Sequence, residues 1–574
     1  MPVPTATAAV PAAIATPAAS QCSIRVPHGV PCDAADEDEE DDDELVCACT
    51  GATLVAITSA MAVTSEIHVR AASTAPTLVD PFRRATPLSA SDAHVLLCPK
   101  AMDVHLVGVA GTGMGALAGL LKAAGHRVSG SDTAFHPPMG DALARWGIET
   151  KNGWDPANLS PRPDLVVVGN VCRKDNPEAR AAIDGGIPYD SMPGAIEKLF
   201  LEHRPGWVVA GTHGKTTTTT LLAYLAFKAG LDPGMLVGGI PKDFGESFRV
   251  GGDRAPFVIE GDEYDSAFFE KSPKFLRYNP RAVILGSIEH DHVDIYPDEA
   301  SYVAAFDALI ARIPEDGVLV AWAGDPLVRR VASKAKCRVV WFALSTDDVA
   351  DLSPTWVAAP IAAQGGAQPF DLFVGGSSGG PVLSPLPGSH NVKNALAAIA
   401  LVSEATNGSI PLTTLTHALR SFSGVKRRQE LLAEARGVRV YDDFAHHPTA
   451  VRETLAAIRA RHPEGKLVAV FEPRSATACR KIHEPEYEHA FANADVTLLA
   501  PLGRSNVPEA ERLDVAHVAA AIRATGGDAE APADHDAILA RIVEKTQPGD
   551  TVVLMSNGDM RGLHDRVIAT LATR

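Results

Sequence analysis

The sequence predicts an α/β protein of three successive units behind a low-complexity N-terminal tail. Three observations predict it. From Met102 onward, apolar runs of strand length end in glycine or polar clusters and lead into helix-length segments, the rhythm of doubly wound parallel sheets. Polar residues gather at the carboxyl ends of those strands, where such sheets hold ligands. Residues 1–101 lack this rhythm; they are rich in Ala, Pro, Thr and Ser and carry the block "DEDEEDDDE" at Asp36–Glu44. Such a block repels itself and is expected to be disordered. Either this tail is a disordered extension or translation starts at Met102.

Composition narrows the function. A chain of 574 residues suggests three or four domains. A net charge of −18 disfavours a nucleic-acid surface. Five of the eight cysteines (Cys22, Cys32, Cys47, Cys49, Cys98) lie in the tail, and the others show no ligand spacing. That fits a reducing compartment. The run "ATLVAITSAMAV" is too short and too rich in threonine for a membrane span, and no basic segment at the terminus marks a signal peptide.

The first unit, 102–203, opens with "VHLVGVAGTGMGALAGLLKAAGHRVSGSD". Gly108, Gly111, Gly113 and Gly115 crowd the turn between strand and helix, as in dinucleotide-type sites, although tight helix–strand packing also requires glycine there. Asp132 ends the second strand, where an acid can meet a ribose or base.

The second unit, 204–425, contains "AGTHGKTTTTTLLAYL". Strand, glycine turn and helix aim free N–H groups at one point, the geometry of a phosphate site. Lys215 supplies a charge for the β- and γ-phosphates and Thr216 a hydroxyl for Mg²⁺. Val209 stands where the usual phosphate loop has glycine, so the loop is a shortened variant. "FVIEGDEYDSAFF" and "AVILGSIEHDHVDIY" place acids and histidines after two more apolar strands. Three strand ends thus bring Thr216, a carboxylate and a histidine toward one metal ion. Asn391 and Asn394, at i and i+3, put two amides on one helix face, suited to an adenine edge. In the third unit, 426–574, "VRVYDDFAHHPTAV", "LVAVFEPRSAT" and "TVVLMSNGDMRGLH" again end apolar strands in polar residues.

Taken in order, "GTHGKTTT", "DEYDSAFF", "EHDHVD", "HNVKNA" and "DDFAHHPT" resemble the Mur ligase family, from about Met102 to the C-terminus. The resemblance implies a Rossmann-like UDP-binding domain, a central P-loop ATPase domain and a Rossmann-like C-terminal ligase domain. It implies an ATP- and Mg²⁺-dependent ligase that forms a C–N bond through an acyl phosphate. "DEYDSAFF", "DDFAHHPTA" and "FEPRS" resemble the branch that joins L-alanyl-γ-D-glutamyl-meso-diaminopimelate to UDP-N-acetylmuramate in peptidoglycan recycling. The alanine-adding branch of de novo synthesis is the alternative. Ala476, Asp559 and Met560 depart from the tripeptide-branch pattern, in the domain that meets the amine.

The resemblance also implies roles. Gly211, Thr212, His213, Gly214, Lys215, Thr216 and Thr217 hold the phosphates. Thr216, Glu263 and His292 hold the metal. Asn391, Asn394, Tyr441 and Asp443 surround adenine and ribose, and Arg427 or Arg428 reaches the γ-phosphate. His446 accepts the amine proton, and Arg474 and Ser475 contact peptide carboxylates. Gly111, Gly113, Met114, Gly115 and Asp132 hold the UDP end. No lysine lies between Val293 and Pro314, so no metal-bridging carbamate is expected. The expected partners are the UDP-sugar and the tripeptide, for a monomer or weak homodimer in the bacterial cytoplasm without nucleic acid or membrane insertion. A nicotinamide-dependent dehydrogenase would leave Lys215 and Thr216 unexplained. An inert UDP-sugar-binding regulator would need lost phosphate or metal groups, and the sequence retains them.

Overall fold

The computed structural model describes residues 101–363 and 366–573. The tail reading of 1–101 therefore falls, save for Ala101, outside the described residues. Three main sheets organise the rest.

The first sheet is all-parallel, with strands in the order Glu149–Asn152, Arg127–Asp132, Asp103–Val107, Leu165–Val168, Tyr189–Ser191. The strand Asp103–Val107 is central and paired on both sides. It needs no partner from the preceding residues. A chain starting at Met102 is accordingly expected to be soluble and active; aggregation or lost activity would make residues 1–101 structural.

The second sheet has ten strands. Its parallel middle runs Trp356–Pro360, Arg338–Leu344, Val318–Trp322, Pro280–Leu285, Gly206–Ala210, Phe257–Glu260, Gly234–Leu236. Antiparallel strands close both edges. The strand before the phosphate loop, Gly206–Ala210, lies between the strands before the two acidic clusters. That adjacency is why loop and acids share one sheet edge. The helix Lys215–Lys228 follows the loop and buries the five threonines Thr216–Thr220. Thr219 and Thr220 donate their hydroxyls to the carbonyls of Lys215 and Thr216, which lets these two polar side chains enter the core.

The third sheet has six strands, five of them parallel, with Glu430–Ala435 antiparallel at one edge. Valine-rich runs such as Val438–Asp443 and Thr551–Met555 are buried on both faces, as parallel strands require. Among the described residues no helix is long and apolar enough to cross a membrane.

Candidate active site between the central and C-terminal domains

The phosphate loop is bent by two glycines in the left-handed region, Gly211 at φ +128° and Gly214 at φ +75°. A Cβ on Gly214 would lie 2.6 Å from Asn394 Oδ1. Gly214→Ala is therefore expected to cost about 1–2 kcal/mol in backbone strain, to displace Asn394 and to weaken nucleotide binding. Thermal unfolding and nucleotide titration check it. Thr212 ties the loop to the neighbouring strand end: its N–H donates to Ser287 O at 2.6 Å, and its hydroxyl donates to Glu289 O at 2.9 Å.

Lys215 Nζ donates to Gly211 O at 2.8 Å and to Glu263 Oε1 at 3.0 Å. His292 Nε2 lies 3.1 Å from the same carboxylate oxygen, and Tyr302 donates to it at 3.0 Å. Burial pushes the Glu263 carboxyl up, but the Lys215 charge and the His292 bond outweigh it and hold the pKa at about 2. Glu263 Oε2 is buried without a hydrogen-bond partner. An ionised carboxylate with one unpartnered oxygen suits a hard divalent cation. Glu263 thus fits the expected Mg²⁺, with His292 beside it.

Thr216 does not join them directly. Its hydroxyl donates to Glu260 Oε1 at 3.0 Å and accepts from Arg428 Nη2 at 3.2 Å. Glu260 is desolvated, which pushes its carboxyl up, and it satisfies itself with this hydroxyl and the Gly238 N–H. The three-residue metal set expected from the sequence therefore stands as a Glu263–His292 pair beside a Thr216–Glu260–Arg428 group.

Next to the loop lies a cleft. His213, Gly214, Thr217, Asn391 and Asn394 wall one side, and Arg428 and Asp443 the other. Asn391 donates to Pro387 O at 2.7 Å, which fixes the start of its helix. Asp443 accepts the N–H groups of Gln429 and Ala445 at 2.7 and 2.8 Å, and burial pushes its carboxyl up.

Residues 103–204 match the "Mur ligase family, catalytic domain" model, 209–402 the "Mur ligase middle domain" and 427–558 the "Mur ligase, glutamate ligase domain". The UDP-N-acetylmuramate–L-alanyl-γ-D-glutamyl-meso-2,6-diaminoheptandioate ligase of Escherichia coli K12 is 37% identical, over 82% of this chain and 99% of its own. The chain belongs to the Mur ligase family. A murein peptide ligase crystal structure from Psychrobacter arcticus matches with a TM-score of 0.61 and 34% identity, over 83% of this chain and 99% of that one. A UDP-N-acetylmuramate–L-alanine ligase of Roseiflexus sp. RS-1 is 34% identical over 82% of this chain and 99% of its own.

In this Mur ligase the two candidate arginines part company. Arg428 reaches the phosphate loop and lies 4.7 Å over the Phe444 ring. Arg427, with φ +59°, turns into its own domain and donates to Asp442 and to the carbonyls of Ser556 and Gly558. Tyr441 is also corrected: its ring is 1% exposed in the C-terminal core and its hydroxyl meets His462 Nε2 at 2.8 Å, away from the cleft lining.

His446 is half-buried. Its Nδ1 lies 3.1 Å from Phe444 O, which assigns the proton of the neutral ring there, and Nε2 is 4.0 Å from Asp291. Burial lowers its pKa despite the Asp291 charge. The ring is therefore neutral near pH 7, with Nε2 free to take a proton.

Arg474 is part-exposed, 3.7 Å from both Glu472 and Asp559. Gly503 and Gly558 leave no room for a Cβ against its stem. Ser475 is buried, and its hydroxyl oxygen accepts the Ala478 N–H, which shapes the turn after Arg474.

In the first domain Met114 is a core side chain, 6% exposed, and Gly115 admits Met139 Sδ to within 2.1 Å of where a Cβ would stand. Both serve packing. Gly111 and Gly113 open the helix Thr112–Ala123, and Asp132 accepts the Ala110 and Thr133 N–H groups, so its carboxylate shapes the turn. The sequence reading gave no role to Tyr302, Gln429 or Thr449. Tyr302 sits in the first turn of the helix Glu299–Ile310 with no local signal; only the packing of distant elements brings it to Glu263.

Proposed function

We propose that this Mur ligase joins L-alanyl-γ-D-glutamyl-meso-diaminopimelate to UDP-N-acetylmuramate with hydrolysis of ATP to ADP and phosphate. The observation that carries the reading is the convergence of Lys215, Glu263 and His292 at a loop that Arg428 enters from the C-terminal domain. The similarity to the Escherichia coli ligase supports the choice of amine. The domain limits we assign are 102–203, 204–425 and 426–574.

ATP occupies the cleft, with its phosphates on the loop N–H groups and Lys215. Asn391 and Asn394 face the base, and Asp443 the ribose. The lactyl carboxylate of the sugar attacks the γ-phosphorus and ADP leaves. Lys215 and Arg428 offset the charge that develops during this transfer. Glu263 and His292 would hold Mg²⁺, which supplies further charge stabilisation on the phosphate oxygens. The peptide amine then attacks the acyl carbon, and phosphate leaves. His446 Nε2 takes the amine proton. Arg474 binds a peptide carboxylate with its planar fork. Gly111 and Gly113 let the UDP end approach the first helix. The setting is the bacterial cytoplasm and the enzyme works as a monomer or weak homodimer.

The deciding experiment measures ADP release from the full chain with UDP-N-acetylmuramate plus tripeptide, and with each omitted. Release is expected with both present. Release independent of the sugar overturns the proposal. The Roseiflexus similarity makes L-alanine the competing amine.

A further inference from the structure

A second group of ligating side chains joins the phosphate loop to the C-terminal domain. His213 Nε2 lies 3.1 Å from Glu289 Oε2, and His447 Nδ1 lies 3.5 Å from the same oxygen. One ligating atom from each of the three residues lies within 4.8 Å of the other two. In a tetrahedral zinc site with arms of about 2.0–2.1 Å, neighbouring ligand atoms stand about 3.3–3.4 Å apart. Two of the three edges already have that length, and rotation of one imidazole closes the third.

His447 adds an independent observation. Its Nδ1 accepts the Thr449 N–H at 3.3 Å, which leaves the proton of the neutral ring on Nε2. The residue is 6% exposed, and Nε2 is buried with no hydrogen-bond partner. Nδ1 also lies 3.5 Å from Glu289 Oε2, which accepts the Thr449 hydroxyl at 2.8 Å. A cation between Nδ1 and that oxygen would take the place of the two Thr449 contacts. Two imidazoles and one carboxylate suit zinc and its neighbours, whereas Mg²⁺ prefers oxygen donors.

We propose that His213, Glu289 and His447 form a site for a zinc-class divalent ion, separate from the Glu263–His292 pair. His213 belongs to the phosphate loop, Glu289 follows the strand Pro280–Leu285, and His447 caps the helix Pro448–Arg461. An ion there ties the central domain to the C-terminal domain. The proposal goes beyond the ligase reading, because binding is measured without turnover.

The test is calorimetric titration of ZnCl₂ alone into the full chain, with Co²⁺ absorption as a second readout. His292→Gln removes binding at the other pair and serves as the background. One zinc equivalent and visible tetrahedral Co²⁺ bands are expected in that background. Adding Glu289→Gln or His447→Gln is expected to weaken zinc binding at least about tenfold and to remove the bands, by loss of one of three ligands. Circular dichroism checks that each variant is folded. If a variant proves unfolded, diethylpyrocarbonate labelling of the unmodified chain decides instead: zinc is expected to protect the part-exposed His213. Equal zinc affinity in the folded variants, labelling unchanged by zinc, or no saturable equivalent at all overturns the site and leaves a hydrogen-bonded contact only.

Discussion

Lys215→Ala is expected to abolish ligation while leaving UDP-sugar binding in place. Lys215 is the cation on the loop, fixed by Gly211 O and Glu263. Losing its charge during phosphoryl transfer should cost about 10²–10⁴ in rate, several kcal/mol of transition-state stabilisation. The substitution also strips the buried Glu263 carboxylate of its main counter-charge, so some loss of stability accompanies it. The sugar site expected at Gly111 and Gly113 lies on another sheet, so its affinity is the internal control. ADP release and calorimetry with the UDP-sugar measure the two arms. Ligation near the unmodified rate would sink the phosphate-loop assignment.

The second large effect concerns the amine. The tripeptide carries three carboxylates and a second ammonium, whereas free L-alanine offers one carboxylate. Each charge-assisted bond contributes about 1.5–3 kcal/mol. Losing one or two should set alanine back by about 10–10⁴ in kcat/KM. Of the three cations in "FEPRSATACRK", Arg480 is already bound to Glu511 and to the Ala476 carbonyl. Arg474 and the exposed Lys481 remain for the peptide. Arg474→Ala is therefore expected to narrow the gap between tripeptide and alanine, mainly by slowing the tripeptide. Competitive assays with both amines decide it. Alanine used at least as efficiently as tripeptide would reverse the assignment in favour of alanine addition. Asp559, one of the departures from the tripeptide-branch pattern, stands 3.7 Å from Arg474 and tempers its charge, so Asp559→Gly is a useful companion variant.

Much of this was legible in the chain itself. Short apolar runs ending in glycine or acid mark parallel strands, and Gly-Lys-Thr after one of them marks a phosphate loop. Those signals are local, and the three sheets bear out the strands. Side-chain direction is not local. Arg427 and Arg428 are neighbours in sequence, yet one turns into its own domain and the other to the loop. Tyr441 lies two residues before Asp443 on the same strand, yet its ring is spent on the core. Met114 and Gly115 sit within a ligand-like glycine pattern but answer to Gly169 and Met139 across the packing interface. Thr216 donates to Glu260, the last residue of its strand, and not to Glu263 three residues on, and choosing between them requires the fold of the turn.

The Arg428–Thr216 hydrogen bond has a thermodynamic corollary. The loop and Arg428 fall in the stretches matched by two different family domains, on either side of a cleft that a nucleotide would fill. A triphosphate placed there acts as mortar between two bricks. Its apparent affinity then contains the free energy of bringing the bricks together, so anything that holds them apart reads out as weaker ATP binding even when no nucleotide contact is touched.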